Sequence, residues 1–356
     1  MKPQLFGTLF YANYLIRAMA LYRSLEAHFG RDFTLVMLCM DEASIRILER
    51  LKLPRARIVP VSELEQRDPD LAAVKATRSV AEYSWTCAPP LLLHLIDQVR
   101  PGESVAYLDA DLMFFSAPSP IFEEWGEADI LIHEHRFAPE HLAKARDSGI
   151  FNVGFVGARR SEEGLRCLER WRAQCLAACR LDPDHGLCGD QKYLEEWPGL
   201  YPGLRILRHP GAGLAPWNIA RYALSATDAG VQVDGLPLVF YHYHSMRVVH
   251  DDVAGHVVLQ PAFGYEFTRQ QIELIYRPYA RRLQAAYAEV REAGAGSNLP
   301  RIAPPLGQTL AAMAQPGIVS SSTLIDLVPR QLDRLVTPRR KVARLVLGLR
   351  HGSPAQ

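Results

Sequence analysis

Strands and helices alternate from residue 4 to residue 111 with a regularity that few folds accommodate. Residues 4–9, QLFGTL, form an apolar run that reads as a strand. NYLIRAMALYRSLEAHF then places Leu15, Met19, Tyr22, Leu25 and Phe29 at helical spacing and stops at Gly30. DFTLVMLCMD predicts a second strand with Asp41 just past its end, EASIRILERLKL a helix, and ARIVPVSEL a third strand. SWTCAPPLLLHLIDQV reads as another helix, with Pro89 or Pro90 near its start. SVAYLDAD reads as the fourth strand. Such an order predicts a parallel sheet covered by helices.

The chain is 356 residues long and 48% apolar, enough for one large α/β domain or two smaller ones. A net charge of +1 gives no electrostatic reason to expect a nucleic-acid partner. No stretch approaches the roughly 20 apolar residues of a membrane span. The N-terminus, MKPQLFGTLFYANYLIRAM, lacks the order of a signal peptide, so an intracellular location is expected. Cys39, Cys87, Cys167, Cys175, Cys179 and Cys188 contain no CxxC pair. With His185 nearby a zinc site is conceivable, but in a helix pattern such as GLRCLERWRAQCLAAC cysteine reads as a small buried apolar residue.

Ligands of open α/β sheets bind beyond the carboxyl ends of the strands. The strand tips here carry Thr8 to Asn13, Asp41, and the pair Asp109 and Asp111 in YLDADLMFF. No GxGxxG or GxxxxGK[ST] is present to hold phosphates. Carboxylates beside an apolar strand are expensive unless paired or metal-bound. At positions i and i+2 they share a face, and can reach one hard cation such as Mg²⁺ or Mn²⁺. A surface-loop or helix-cap pair is the alternative.

Beyond residue 125, ADILIHEHRF and FNVGFVGA look like strands, DQKYLEEW opens a short helix, and PLVFYHYHSM is a strand ending in histidines. A helical stretch, YEFTRQQIELIYRPYARRLQAAYAEVREAG, precedes a linker and a basic tail.

Five motifs in order give the chain a resemblance to nucleotide-sugar-dependent glycosyltransferases, similar to glycosyltransferase family 8 and its relatives: TLFYANYL, YLDADLMFF, FNVGF, GDQKYL and YHYHSM. The likeness covers roughly residues 4–262. LAPWN, EHRF and EYSWT look like segments of a bacterial branch of uncharacterised glycosyltransferases. The resemblance implies a GT-A fold, that is, a Rossmann-like, mostly parallel central sheet with flanking helices and a C-terminal helical extension. The GT-A domain is expected over residues 1–262, the extension over 263–294, and a linker with a basic amphipathic tail over 295–356. The late motif departs from the family: HYHSMRVVH has neither its Gly nor its Lys-Pro-Trp, and Arg247 is the nearest basic residue.

The resemblance also implies roles. Asp109 and Asp111 would hold Mn²⁺ or Mg²⁺ and, through it, the donor diphosphate. His242 and His244 share a strand face and both qualify as the third ligand, alignment with the motif favouring His242. Thr8, Tyr11 and Asn13 are candidates for the base and ribose pocket, although Asn13 could equally cap the next helix. Lys75 and Arg78 occupy positions that could contact the donor phosphates, or lie on a solvated helix face. Asn152, Asp190 and Gln191 are candidates for the reaction centre, with Asp190 as a helix N-cap the alternative. Trp217 could stack on a sugar or belong to the core, and Asn218, His133, His135 and Arg136 are candidates for the acceptor side. The activity implied is transfer of a sugar, with retention, from a nucleotide-diphosphate sugar, UDP-sugar first, to a glycan or lipid-linked acceptor in bacterial surface polysaccharide synthesis.

Residues 330–350 carry seven Lys or Arg and one acid. Such a segment can lie on an anionic membrane or be a solvated tail, which sets the expected location as cytoplasmic with peripheral contact at the inner face. Competing functions are a sugar-nucleotide pyrophosphorylase, which would carry a Gly-rich loop absent from FGTLFYANY, a phosphohydrolase with DxD on its first strand, and a non-catalytic glycan- or nucleotide-sugar-binding protein.

Overall fold

The computed structural model describes residues 4–251, 256–260 and 265–294. The basic segment 330–350 and the linker before it lie outside the described residues.

A seven-stranded sheet forms the centre. Strands Ala56–Pro60, Phe33–Cys39, Gln4–Phe10 and Ser104–Leu108 run side by side in parallel. Phe151–Arg159 follows antiparallel, then Ile130–Glu134 and Leu204–Leu207 resume the first direction. The expected mostly parallel sheet is therefore present, with one reversed strand inserted at its centre.

Side chains alternate across it. Leu35, Met37 and Cys39 enter one apolar cluster, with the helices Leu15–Phe29 and Arg277–Ala293. Val36, Leu38 and Met40 enter another, with the helices Val80–Ile96 and Glu162–Ala177. Both faces are covered, so the strands read as continuous apolar runs rather than as alternating patterns.

The helix read from Ser84 begins earlier, at Val80. Ser79 Oγ accepts from the Glu82 amide at 3.3 Å, and Glu82 Oε2 accepts from the Ser79 amide at 2.8 Å. This capping box sets the start. Pro89 and Pro90 therefore lie inside the helix and not near its N-terminus. Interior prolines lose helix hydrogen bonds, and here tertiary packing holds them: Pro89 and Pro90 are buried.

Residues 265–294 are part of the same core. Ile275, Tyr276, Tyr279, Leu283 and Val290 belong to the first apolar cluster. Tyr279 stacks on Tyr243 with centroids 3.6 Å apart, and Tyr243 Oη donates to Ile275 O at 2.9 Å. Arg23 and Glu289 pair across the two helices at 2.5 Å.

Glycine permits one close approach inside the sheet. A Cβ at Gly157 would sit 2.4 Å from the Trp125 ring, which is itself pinned by a bond from Nε1 to Ala128 O at 2.9 Å. Gly157→Ala should lower stability by about 1–3 kcal/mol, read as a reduced denaturation midpoint with an unchanged m-value. An unchanged midpoint would show that the ring yields freely.

Candidate metal and sugar-nucleotide site

The strand Ser104–Leu108 ends where Asp109 begins, and the Asp109 amide still donates to Gly154 O on the reversed strand at 3.0 Å. A turn closed by the Leu112 amide on Asp109 O, 3.2 Å, leads to the short strand Leu112–Phe114. That strand pairs antiparallel with Phe240–His242, with His242 opposite Leu112, and the Tyr243 amide donates to Asp111 O at 3.0 Å. Backbone pairing thus delivers His242 to the two carboxylates. Its Nε2 lies 3.2 Å from Asp111 Oδ1 and 3.5 Å from Asp109 Oδ2. One ligand atom from each of the three residues falls within a span of 4.8 Å. Among the described residues this is the one such cluster of three or more His, Cys, Asp or Glu. His242 and not His244 supplies the third atom; His244 lies on the exposed turn that follows, edge-on to Trp217.

The charges are mutually dependent. Burial opposes ionisation of Asp111, but His242 outweighs it and draws the carboxyl down to about 2. Burial, then the charge of Asp111, pushes Asp109 up, while His242 opposes this. Burial also opposes protonation of His242, yet Asp111 and Asp109 together raise its pKa. Two carboxylates and one imidazole in a buried recess form a mixed oxygen and nitrogen donor set of the kind Mn²⁺ accepts.

Asn152 orients that set. The Gly154 amide donates to Asn152 Oδ1 at 2.9 Å, which identifies the oxygen of the side-chain amide. His242 Nδ1, 3.2 Å from the same oxygen, must then carry a proton, leaving Nε2 to face the carboxylates. Asn152 Nδ2 donates to Gln191 Oε1 at 3.1 Å and to His135 Nε2 at 3.2 Å. His135 therefore keeps its proton on Nδ1, 3.3 Å from Ile150 O, and burial pulls its pKa down to about 3, so it stays neutral. A Cβ at Gly154 would fall 2.7 Å from both Asn152 Oδ1 and His242 Nδ1. The Asn-x-Gly spacing is thus what lets this network close.

Asp190 and Gln191 adjoin it. Gln191 Nε2 donates to Ser148 O at 2.8 Å. Trp171 Nε1 donates to Asp190 O at 2.8 Å. Gly189 has φ +56°, and a Cβ there would meet the Trp85 ring at 3.0 Å. The Asp190 side chain does not cap the short helix at Lys192, whose cap residue Gln191 makes no capping bond either. It is buried, and burial, with Cys179 and Asp109 adding to it, pushes its carboxyl well above the usual range.

Near the first strand, Thr8 is fully buried with Oγ1 unpartnered, Tyr11 is half-buried and Asn13 is exposed. Asn13 makes no cap bond. Asp41 fixes this loop by accepting from the Ala12 amide at 2.6 Å and capping the next helix through the Ser44 amide at 2.8 Å. Lys75 pairs with Glu65 at 2.7 Å, and Arg78 donates to Leu176 O at 2.8 Å at a helix end. Neither is brought against the carboxylate pair by a hydrogen bond or ion pair described here.

The residues expected on the acceptor side are mostly spent within the fold. Trp217 is buried, edge-on to the rings of His135, His242 and His244 at 5.1–5.5 Å. It packs with Phe137 and Ala215 as a small core and offers no open face for a sugar. Asn218 is fully buried, accepting from the Ala215 amide and donating to His135 O and Gly213 O. Arg136, in the left-handed region at φ +51°, donates to His209 O and Ala212 O. These side chains clamp loops together. His133 is buried with Nε2 unpartnered.

The cysteines are all free thiols, five of them buried, as expected for structural residues. Arg17 escaped the sequence reading. The signal was a lone charge inside the apolar helix LIRAMALY, where it is 7% exposed.

A covered α/β sheet with a histidine-carboxylate recess at its strand ends defines a class, an α/β protein with a candidate divalent-cation site. No family model matches the chain. It is 31% identical over 291 residues to YfnD of Bacillus subtilis strain 168, spanning 81% of this chain and 91% of that protein. It is 32% identical over 276 residues to YfnF of the same strain, spanning 76% and 88%. The chain belongs to the family of these two proteins, both described as uncharacterized. Among solved structures, the galactosyltransferase LgtC with donor and acceptor sugar analogs aligns at TM-score 0.45 and 16% identity, over 68% of this chain and 87% of that one. The glycosyltransferase GlyE of Streptococcus pneumoniae TIGR4 aligns at 0.46 and 13%, over 82% and 63%. At these scores the likenesses carry no functional argument.

If Asn152 orients His242 as the hydrogen bonds require, Asn152→Ala should weaken Mn²⁺ binding about 10–100-fold. Titration calorimetry on a protein with unchanged circular dichroism checks this. Unaltered affinity would separate Asn152 from the site.

Proposed function

We propose that the chain is a metal-dependent GT-A glycosyltransferase that moves a sugar from a nucleotide-diphosphate sugar to a glycan or lipid-linked acceptor. The observation that carries this reading is the convergence of Asp109, Asp111 and His242, with the histidine tautomer set by Asn152 and Gly154. A divalent cation held by these three residues would neutralise the charge of a departing diphosphate.

The remaining groups fit the same chemistry. Thr8, buried near the end of the first strand, and Tyr11 and Asn13, on the loop after it, would border the base and ribose, with UDP the first choice. Asn152, Gln191 and Asp190 stand at the inner side of the recess. Gln191 Oε1 is suited to meet the developing positive charge at the anomeric carbon, and the Asp190 carboxyl, held in its neutral form by burial, to hydrogen-bond a sugar hydroxyl. Retention follows in this reading from front-face attack, the departing diphosphate taking the acceptor's proton. In this reading residues 1–262 are the catalytic unit and 263–294 its helical extension.

Among the described residues no helix is long and apolar enough to cross a membrane. A peripheral position at the inner face of the bacterial membrane, through residues 330–350, would suit a lipid-linked acceptor in surface polysaccharide synthesis.

Thermal unfolding with UDP, GDP, CDP or dTDP, each with Mn²⁺ or EDTA, tests the donor. At a ligand concentration of a hundred times Kd the native state gains about 2.7 kcal/mol, and the gain should require Mn²⁺. Asp109→Ala and Asp111→Ala should remove both that gain and turnover while remaining folded. Stabilisation by no nucleotide, or full turnover in either variant, would overturn the reading.

A further inference from the structure

Arg17 is a buried cation without a carboxylate partner among the described ion pairs. Its Nη1 donates to Asn13 O at 3.1 Å and its Nη2 to Met246 O at 3.0 Å. Asn13 belongs to the loop after the first strand. Met246 closes the turn that begins at His242, its amide donating to Tyr243 O at 3.3 Å. The same turn is bonded to Asp111 through the Tyr243 amide. One guanidinium thus ties together the two loops that flank the carboxylate pair. It lies over the Tyr14 ring at 4.1 Å, which fixes its plane.

A guanidinium has five N–H donors, and neutral carbonyls satisfy two of them here without cancelling its charge. Burying such a charge unpaired is costly. A nucleotide diphosphate bound at Asp109, Asp111 and His242 would bring negative charge into this recess. Lys75 and Arg78 are engaged elsewhere, with Glu65 and a helix end.

We propose that Arg17 is the fixed cation of the donor site and a ligand of the diphosphate. The inference rests on the nucleotide-sugar reading above and adds to it the residue that meets the phosphates. Ser245, in the turn that Arg17 grips, has φ +57°, a conformation that favours glycine. The turn is thus held in an unfavourable shape, and the Arg17 bond to Met246 O is one of the contacts that hold it.

The test is calorimetric titration of the full chain with UDP and with UMP, both in excess Mn²⁺, for the native protein, Arg17→Met and Arg17→Lys. A contact with the second phosphate predicts that Arg17→Met loses about tenfold or more in UDP affinity, as a charge-assisted bond implies. UMP affinity should change several-fold less. Arg17→Lys, which keeps the charge but not the fork, should recover part of the UDP preference and serves alone if the methionine variant does not fold. Equal losses for UDP and UMP would make Arg17 a loop clamp and overturn the proposal. Unchanged UDP affinity would do the same. Failure of the native protein to bind UDP, GDP, CDP or dTDP with Mn²⁺ would instead strike the donor reading itself.

Discussion

The hydrogen bond from the Gly154 amide to Asn152 Oδ1 sets the direction of the other polar contacts around the candidate site. A backbone amide can only donate, so the side-chain oxygen is identified. From that assignment follow the proton on His242 Nδ1, the turning of Nε2 toward the carboxylates, the acceptor role of His135 Nε2 and the pairing with Gln191. Reversing the Asn152 amide would place two donors against each other at Gly154 and two acceptors at Gln191. The arrangement is a chain of single-valued choices anchored on the reversed strand Phe151–Arg159. That strand, third of seven in the sheet, runs antiparallel to both of its neighbours. Its Gly154 carbonyl takes the Asp109 amide, and its Asn152 meets His242 from the other side.

Outside this network, loops are fixed by side chains bonding to backbone carbonyls and amides. Asn218 joins the segments at His135 and Gly213, Arg136 joins its own turn to residues 209–212, and Asp41 holds the loop at Ala12. Each replaces pairing that an irregular backbone cannot make for itself. Trp217 fills the space between them and backs the histidines. The region is therefore rigid in its second layer, and exposed residues such as Asn13 and His244 are left at its surface.

Much of this was legible in the sequence because the signals were local. The buried strands showed as apolar runs, the helices as periodic ones, and Asp109 with Asp111 as charges where no charge belongs. The capping box Ser79-x-x-Glu82 was an equally local signal, and a stronger mark of the helix start than the prolines. Another local signal was Asp234-Gly235, both at positive φ, which turns the hairpin between Gly230–Val233 and Leu236–Pro237. Other features were not available to such reading. The choice between His242 and His244 depends on which faces Asp111 across a strand pair more than a hundred residues apart in sequence. The reversal of Phe151–Arg159 is a long-range pairing with no local mark. Trp217, Asn218 and Arg136 were recognisable as unusual residues, but polar or aromatic character does not say whether a side chain faces a ligand or a neighbouring loop.

The tyrosine stack between Tyr243 and Tyr279, with Tyr276 beside it, has a consequence for the order of events during synthesis. The turn carrying His242 is gripped by a helix that ends at Ala293. A ribosome adding about 5–20 residues per second releases the carboxylates first and that helix much later. A nascent chain therefore carries its strands and its acidic pair well before Tyr279 can stack on Tyr243. A chain truncated before that helix would lack Tyr279, the ring on which the turn after His242 stacks.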